Sequence, residues 1–254
     1  TLTLNWDAGW RDDDLGFLES VPGLEGVEIY NRELSDLSAL ERLSKLKFLS
    51  LQASLKKSLD LVKLPELTTL KFNWSGKIRN LEKCTQLERL NIEGFPDEDL
   101  SSLSPFARLQ ALWLTSRKLA SLRGIEQLSN LKMIDLYSCP KLTSIDGVDG
   151  APSLRSAVFA TCKGINEISR FPDGWGIKSL TFQNCGKLAD VAFLADCPKL
   201  ENLSLIDDTA IVNGDLEVIK ALPKLKGLRL AKRRHYSPSR DELADWLEAG
   251  AAKR

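Results

Sequence analysis

Five cysteines and one histidine are the residues of this chain whose types could hold a metal, run a redox couple or activate a nucleophile. A zinc site needs short local spacing such as C-x2-C, or histidine partners. Neither occurs, and the single histidine, His235, stands in KRRHYSP, which reads as a solvated loop. A Ser-His-Asp or Cys-His site could use only that residue. No phosphate-binding glycine loop, H-E-x-x-H or G-x-S-x-G is present. Acid runs at Asp12-Asp13-Asp14, Asp97-Glu98-Asp99 and Asp207-Asp208 fall among turn residues, where Asp bonds its own backbone. DGVDG at 146–150 lacks the oxygen spacing of a calcium loop. No catalytic residue, metal or cofactor is expected, and the chain does not read as an enzyme. One regularity remains: Cys139, Cys162 and Cys185 are separated by 23 and 23 residues.

That interval belongs to a longer period. Leucine fills 46 of 254 positions, and the template L-x-x-L-x-L returns down the chain. Copies start at 24, 46, 67, 87, 109, 131, 154, 177, 200 and 225, at intervals of 20 to 25 residues, and TLTL at 1–4 reads as a cut eleventh copy. The fourth and sixth positions are apolar between polar neighbours, as a half-buried strand requires. Behind them Leu34, Leu37 and Leu40 step by three, which suits a 3-10 or short helical turn. One such unit cannot bury its own apolar face, so neighbours must stack into a one-dimensional solenoid.

The pattern resembles the leucine-rich repeat family, in its short intracellular class of about 22 residues, over nearly the whole chain. The resemblance implies an α/β solenoid, a curved horseshoe with a parallel sheet on the concave face and 3-10 or short helical turns on the convex one. Intervals lengthen from 20–22 to 23–25 along the chain, which predicts convex segments thickening into short helices. RFPDGWGIK at 170–178 breaks the convex pattern and predicts an irregular loop. We divide the chain into a solenoid, 1–232, and a capping helix within 233–254. Ser237-Pro238, or Ser239 with Glu242, starts that helix, and Leu243, Trp246 and Leu247 share one face. Trp6 and Trp10 are expected to close the other end.

Cys139, Cys162 and Cys185 each stand three residues after a sixth-position apolar residue. The resemblance implies an inward position there, where Asn or Cys builds a ladder. Its equivalents Arg32, Ser54, Ser75, Phe95 and Arg117 do not keep the ladder, which implies a looser turn in the N-terminal half. Neighbouring strands lie ~4.8 Å apart, so a disulfide between rungs stays geometrically open beside the structural reading. Cys84 and Cys197 read as small buried hydrophobes.

The outward residues of the strands are the informative surface. Their central column reads Glu28, Ser50, Lys71, Asn91, Trp113, Asp135, Val158, Thr181, Ser204 and Arg229. Phe48, Arg89 and Met133 flank it on one side, and Tyr30, Asn73, Glu93 and Tyr137 on the other, with Trp74 one residue further. Trp74, Trp113, Met133 and Tyr137 should cluster with Lys71, Arg89, Glu93 and Asp135 around them, while the strands after 154 present mainly Ser, Thr, Ala and Val. Aromatics ringed by charge are what protein interfaces enrich; the competing reading is that they only cover the sheet.

Lys+Arg and Asp+Glu are equal at 35 each, so net charge draws the chain to neither nucleic acid nor membrane. Residues 220–240 nevertheless hold eight bases and no acid, Lys232, Arg233 and Arg234 among them. No apolar run has the ~18 residues of a membrane span, and no signal-peptide order opens the sequence. Five cysteines do not make a secreted disulfide framework. The expectation is a monomeric cytoplasmic binding protein (adaptor, inhibitor or immunity-type) that grips a protein partner on its concave face. Nucleic-acid or acidic-surface binding through the basic end is the alternative. CPKLENLSL at 197–205 also resembles the repeats of ubiquitin-ligase substrate adaptors, but those repeats run longer and no F-box-like segment occurs here.

Overall fold

The computed structural model describes residues 1–171 and 173–251. Its strands are β1 (Leu2–Asn5), β2 (Gly26–Leu34), β3 (Phe48–Leu55), β4 (Leu59–Asp60), β5 (Thr69–Asn73), β6 (Ile78–Arg79), β7 (Arg89–Glu93) and β8 (Ala111–Thr115). They continue with β9 (Met133–Tyr137), β10 (Ser156–Ala160), β11 (Ser179–Gln183), β12 (Lys187–Leu188), β13 (Asn202–Ile206), β14 (Ala210–Ile211) and β15 (Gly227–Leu230). Eleven of them form one parallel sheet in chain order, β1-β2-β3-β5-β7-β8-β9-β10-β11-β13-β15. Two small parallel pairs, β4 with β6 and β12 with β14, lie beyond the strand exits.

Alternation makes this sheet. Leu70 and Phe72, Leu90 and Ile92, Leu112 and Leu114, and Ile134 and Leu136 are buried, while the residue between each pair is partly exposed on the other face; Ser50, between Leu49 and Leu51, is the buried exception. Each fully buried aliphatic side chain contributes about 1.5–3 kcal/mol, so every coil adds its own share of core. The return path is a 3-10 turn, for example Leu61–Lys63, Ser101–Leu103 or Ile125–Gln127. Aspartates two residues ahead set these turns: Asp36, Asp60, Asp99, Asp190 and Asp215 accept the N–H of Ser38, Val62, Ser101, Ala192 and Glu217 at 2.8–3.1 Å. Asp99 of the central acid run is thereby absorbed by local structure.

The expected thickening into short helices does not occur. The later turns Ala192–Asp196 and Glu217–Ala221 lengthen from three residues to five but stay 3-10. The stretch 161–178 carries no helical turn in its described residues. Pro172 lies outside the described residues; around it Phe171 and the buried Trp175 pack ring to ring at 5.1 Å. Arg170 holds the segment to Asp196 through bonds of 2.5 and 2.7 Å, and the Phe171 N–H donates to the same carboxylate at 2.9 Å. The Arg170 guanidinium, with help from that N–H, holds the Asp196 carboxyl down at about 2.

At the C-terminal end, residues 233–239 still wind with the last coil. Ser237 donates to the Gly214 carbonyl and accepts from the Leu216 N–H, and Tyr236 and Pro238 are buried. The helix α1 (Arg240–Ala251) then begins with a capping box, Ser239 and Glu242 bonding reciprocally. Leu243 is buried, and Trp246 and Leu247 pack on the core; residues 252–254 lie outside the described part. At the other end Trp10, Leu15 and Leu18 pack against the core. Trp6 does not: it stands at the end of β1 with Arg11 at 4.5 Å and Arg32 at 5.1 Å over its ring.

Candidate protein-binding face

The ladder frames the face from behind. Cys139, Cys162 and Cys185 are fully buried, and all five cysteines are free thiols. Each ladder cysteine follows a residue with positive φ, Ser138 (55°), Thr161 (57°) or Asn184 (53°), which turns the chain inward off its strand. Cys162 Sγ then donates to the Leu136 carbonyl at 3.4 Å and Cys185 Sγ to the Phe159 carbonyl at 3.1 Å, each one coil back. Thr209 takes the next rung, Oγ1 donating to the Phe182 carbonyl at 3.1 Å. The proton bond to Cys139 and burial push the Cys162 thiol far up, and burial pushes Cys185 to about 12. Burial and these carbonyl bonds tie the Cys162 and Cys185 side chains to the coil behind.

The looser N-terminal turn is replaced by longer strands. β2 and β3 run on through Arg32 and Ser54, both exposed, and pair as far as Leu34 and Leu55. In the fourth and fifth full copies the inward places go to Phe95, behind Gly94 with φ 80°, and to Ser116. Arg117 stays in solvent. Ser116 Oγ donates to the Phe95 carbonyl at 2.8 Å and accepts from Lys118 and Leu119.

The central outward column is in register across the whole sheet: Glu28, Ser50, Lys71, Asn91, Trp113, Asp135, Val158, Thr181, Ser204, Arg229. Over β7 to β13 this face is dished into a groove of about 650 Å³. Asn91, Glu93, Trp113, Asp135 and Tyr137 line it together with Gln183, Asp207 and Asp208. No lysine or arginine is among its lining residues; Lys71 stands beside Asn91 in the central column, and Arg89 lies two residues before Asn91 on β7. Phe48 and Met133 are half-buried on the flanking column outside it, and Tyr30 is tied to Glu28 through its hydroxyl at 2.5 Å. That bond raises the Tyr30 pKa, with burial adding to it.

Trp74 belongs to a second depression of about 600 Å³ over the strand exits, lined by Trp74, Phe95, Pro96, Arg117 and Tyr137. Trp74 is 40% and Tyr137 56% exposed, and Tyr137 borders both hollows. The C-terminal strands are less bland than their Ser, Thr and Val suggest, because Asp207 and Asp208 reach the groove from the end of β13. Asp207 has φ 58° and accepts from Gln183 at 2.8 Å. Asp135 makes no hydrogen bond or ion pair among the described residues, and burial raises its pKa.

The basic end is largely tied down. Lys232 pairs with Asp241 at 2.7 Å, Arg233 donates to the Asp207 carbonyl at 2.9 Å, and Lys226 pairs with Glu201 at 2.7 Å. Arg234 is exposed without an ion pair among the described residues. His235 is exposed in a turn, as expected, and its ring also bonds the Ile211 carbonyl at 2.8 Å. Tyr236, the one aromatic interleaved with the bases, is buried and bonds the Ile211 N–H.

No family model and no curated protein matches the chain. Solved structures do. An internalin (InlF) from Listeria monocytogenes superposes with a TM-score of 0.54 at 17% identity, over 89% of this chain and 74% of its own. The LRR ectodomain of the plant receptor kinase GASSHO1/SCHENGEN3 from Arabidopsis thaliana, in complex with Casparian strip integrity factor 2, gives 0.55 at 19% identity, over 84% of this chain. This chain folds as a leucine-rich-repeat solenoid. It spans 28% of that plant ectodomain. It spans 45% of TLR13, solved as a TLR13–ssRNA13 complex, with a TM-score of 0.50 at 17% identity over 86% of this chain. Relative to the leucine-rich-repeat frame, the acids and aromatics of the groove are outward residues that the fold does not require.

Proposed function

We propose that this solenoid is a non-enzymatic module that binds a protein partner in the groove centred on Trp113, Asp135 and Tyr137. The observation that carries the reading is an aromatic and acidic lining, with Asp135 and Asp208 unpartnered among the described residues, on a sheet face whose core needs are already met behind it. Fold alone leaves the partner class open, since solved neighbours are seen with a named plant factor and with an RNA. Charge narrows it: four carboxylates and no base in the groove repel a phosphate backbone. The basic end is a poorer nucleic-acid site than its sequence suggests, because Lys232 and Arg233 are engaged and Tyr236 has no face to stack on a base. Five buried free thiols suit a reducing compartment such as the cytoplasm.

The test is capture of proteins from lysate by the wild type, by Trp113→Ala and by Arg233→Ala/Arg234→Ala. A buried tryptophan anchor is worth at least about 2 kcal/mol, or about thirtyfold in affinity, so Trp113→Ala should lose the partner and the double variant should keep it. Full capture by Trp113→Ala would overturn the reading. Loss only in the basic variant, with steep salt dependence, would favour the nucleic-acid alternative.

A further inference from the structure

We infer that the partner enters the groove with arginine or lysine side chains, carried on a segment that also presents an apolar residue to the ledge beside it. This rests on the concave-face reading and gives its occupant a chemistry. The whole chain is electrically balanced, yet Glu93, Asp135, Asp207 and Asp208 converge on one hollow with no lysine or arginine in its lining; Arg233 touches its edge, donating to the Asp207 carbonyl at 2.9 Å and not to a carboxylate. Two of these acids are partly occupied, Glu93 by Gln52 at 3.3 Å and Asp207 by Gln183 at 2.8 Å. Asp135 and Asp208 have no hydrogen-bond or ion-pair partner among the described residues. Asp135 is also half-buried, and burial disfavours its charge. A cation seated there would restore what burial removes.

The acids alone would be an ordinary solvated cluster. Their setting is not ordinary, because Trp113 is the register partner of Asp135 on one side and Tyr137 follows two residues later on the same strand. A carboxylate flanked by aromatic faces suits a guanidinium, which bonds the acid through its edge and stacks through its plane. The chain makes the second of these contacts itself, where Arg11 and Arg32 cover Trp6. Beyond Tyr137 the surface becomes apolar: Trp74, Phe95 and Pro96 line the second hollow, whose only charged lining residues are Arg117 and Lys118. A segment crossing Tyr137 therefore meets acid on one side and aromatic surface, rimmed by cations, on the other. That order excludes a uniformly basic ligand and selects one with an apolar residue next to its basic ones.

The test pans a random dodecapeptide library on the intact protein, and on an Asp135→Asn/Asp208→Asn variant whose melting temperature is checked against wild type. Peptides enriched by the wild type should carry arginine or lysine beside an apolar residue. In fluorescence anisotropy they should lose about tenfold in affinity for each carboxylate neutralised, as for one charge-assisted hydrogen bond. No enrichment on wild type, enrichment without basic residues, or basic peptides that bind the double variant equally well would overturn the inference. The outcomes for the underlying reading are separate. Proteins captured through Trp113 but indifferent to the double substitution would sink the basic-segment inference and leave the concave-face reading standing.

Discussion

The first coils and the later coils leave the sheet in different ways. β2 and β3 continue past Arg32 and Ser54, with a bulge in β2 between Tyr30 and Glu33, and their side chains there stay in solvent. β9, β10 and β11 stop after five residues at Ser138, Thr161 and Asn184, whose left-handed backbone swings a cysteine into the core. The difference shows what an inward rung requires: a residue tolerant of positive φ, then a small side chain able to donate to the coil behind. Arginine at 32 meets neither condition, and there the chain bulges out of register before strand pairing resumes at Glu33 and Ser54. The groove lies where the left-handed exits are, since Thr161, Asn184 and Asp207 line it directly.

The sharpest break of this comparison is a charge placed at the same repeat position in both regions. Cys162→Asp should lower the free energy of unfolding by about 3–5 kcal/mol, as an unpaired buried charge does. Ser54→Asp should stay within about 0.5 kcal/mol on an exposed site. Similar urea midpoints for the two would show that 162 is not an interior rung. Thiol chemistry probes the same rungs without mutation. With Cys185 at about 12 against an ordinary 9, the native thiol should offer about a thousandfold less thiolate at pH 8. A colorimetric thiol reagent should therefore label the folded chain slowly and all five cysteines in denaturant. Rapid native labelling of Cys162 or Cys185 contradicts the ladder.

A smaller effect concerns the irregular stretch 161–178, which has no 3-10 helix among its described residues and is held by Arg170 and Asp196. Asp196→Ala should cost about 1–2 kcal/mol through its lost charge-assisted bonds. Because Arg170 depresses the Asp196 pKa to about 2, the unfolded chain binds the extra proton first. The contribution is thus complete above about pH 4 and disappears as pH falls through 2. Acid titrations of wild type and variant that stay parallel down to pH 2 would remove Asp196 from this role. The smallest change should stabilise. Thr161 is a β-branched residue at φ 57°, and Thr161→Asn should add about 0.5–1 kcal/mol by relieving it. The same substitution at Arg32, on extended backbone, should add nothing, and a gain there would blur the distinction between the two exits.

The period made most of this frame legible in advance. Alternation at the fourth and sixth positions gives the strands, and a constant offset from them gives the outward column and the three cysteine rungs. What it missed, it missed where the count slips. The interval of 25 residues between the copies at 200 and 225 hides Thr209, one place later than the offset predicts, and Ser116 sits one place earlier than Arg117. Asp207 and Asp208 stand in a turn as their sequence suggests, but unlike Asp99 and Asp215 they also line the groove. Asp207 has left-handed backbone there, which the sequence does not announce. Likewise Trp74, one residue past its strand, falls on the ledge and not among the groove aromatics.

The in-register parallel sheet also makes the groove a ruler. Asp135 sits on β9 and Asp207 just beyond β13, with β10 and β11 between them. Three strand steps set the part of that interval that runs across the sheet at about 14 Å. Since each strand pairs only with its neighbours in the chain, gain or loss of one 23-residue unit there would move the acids apart or together by one graduation of ~4.8 Å, with the packing on either side repeated unchanged. The spacing of charges that this surface can measure is therefore counted in whole coils, and it can be lengthened without redesigning any of them.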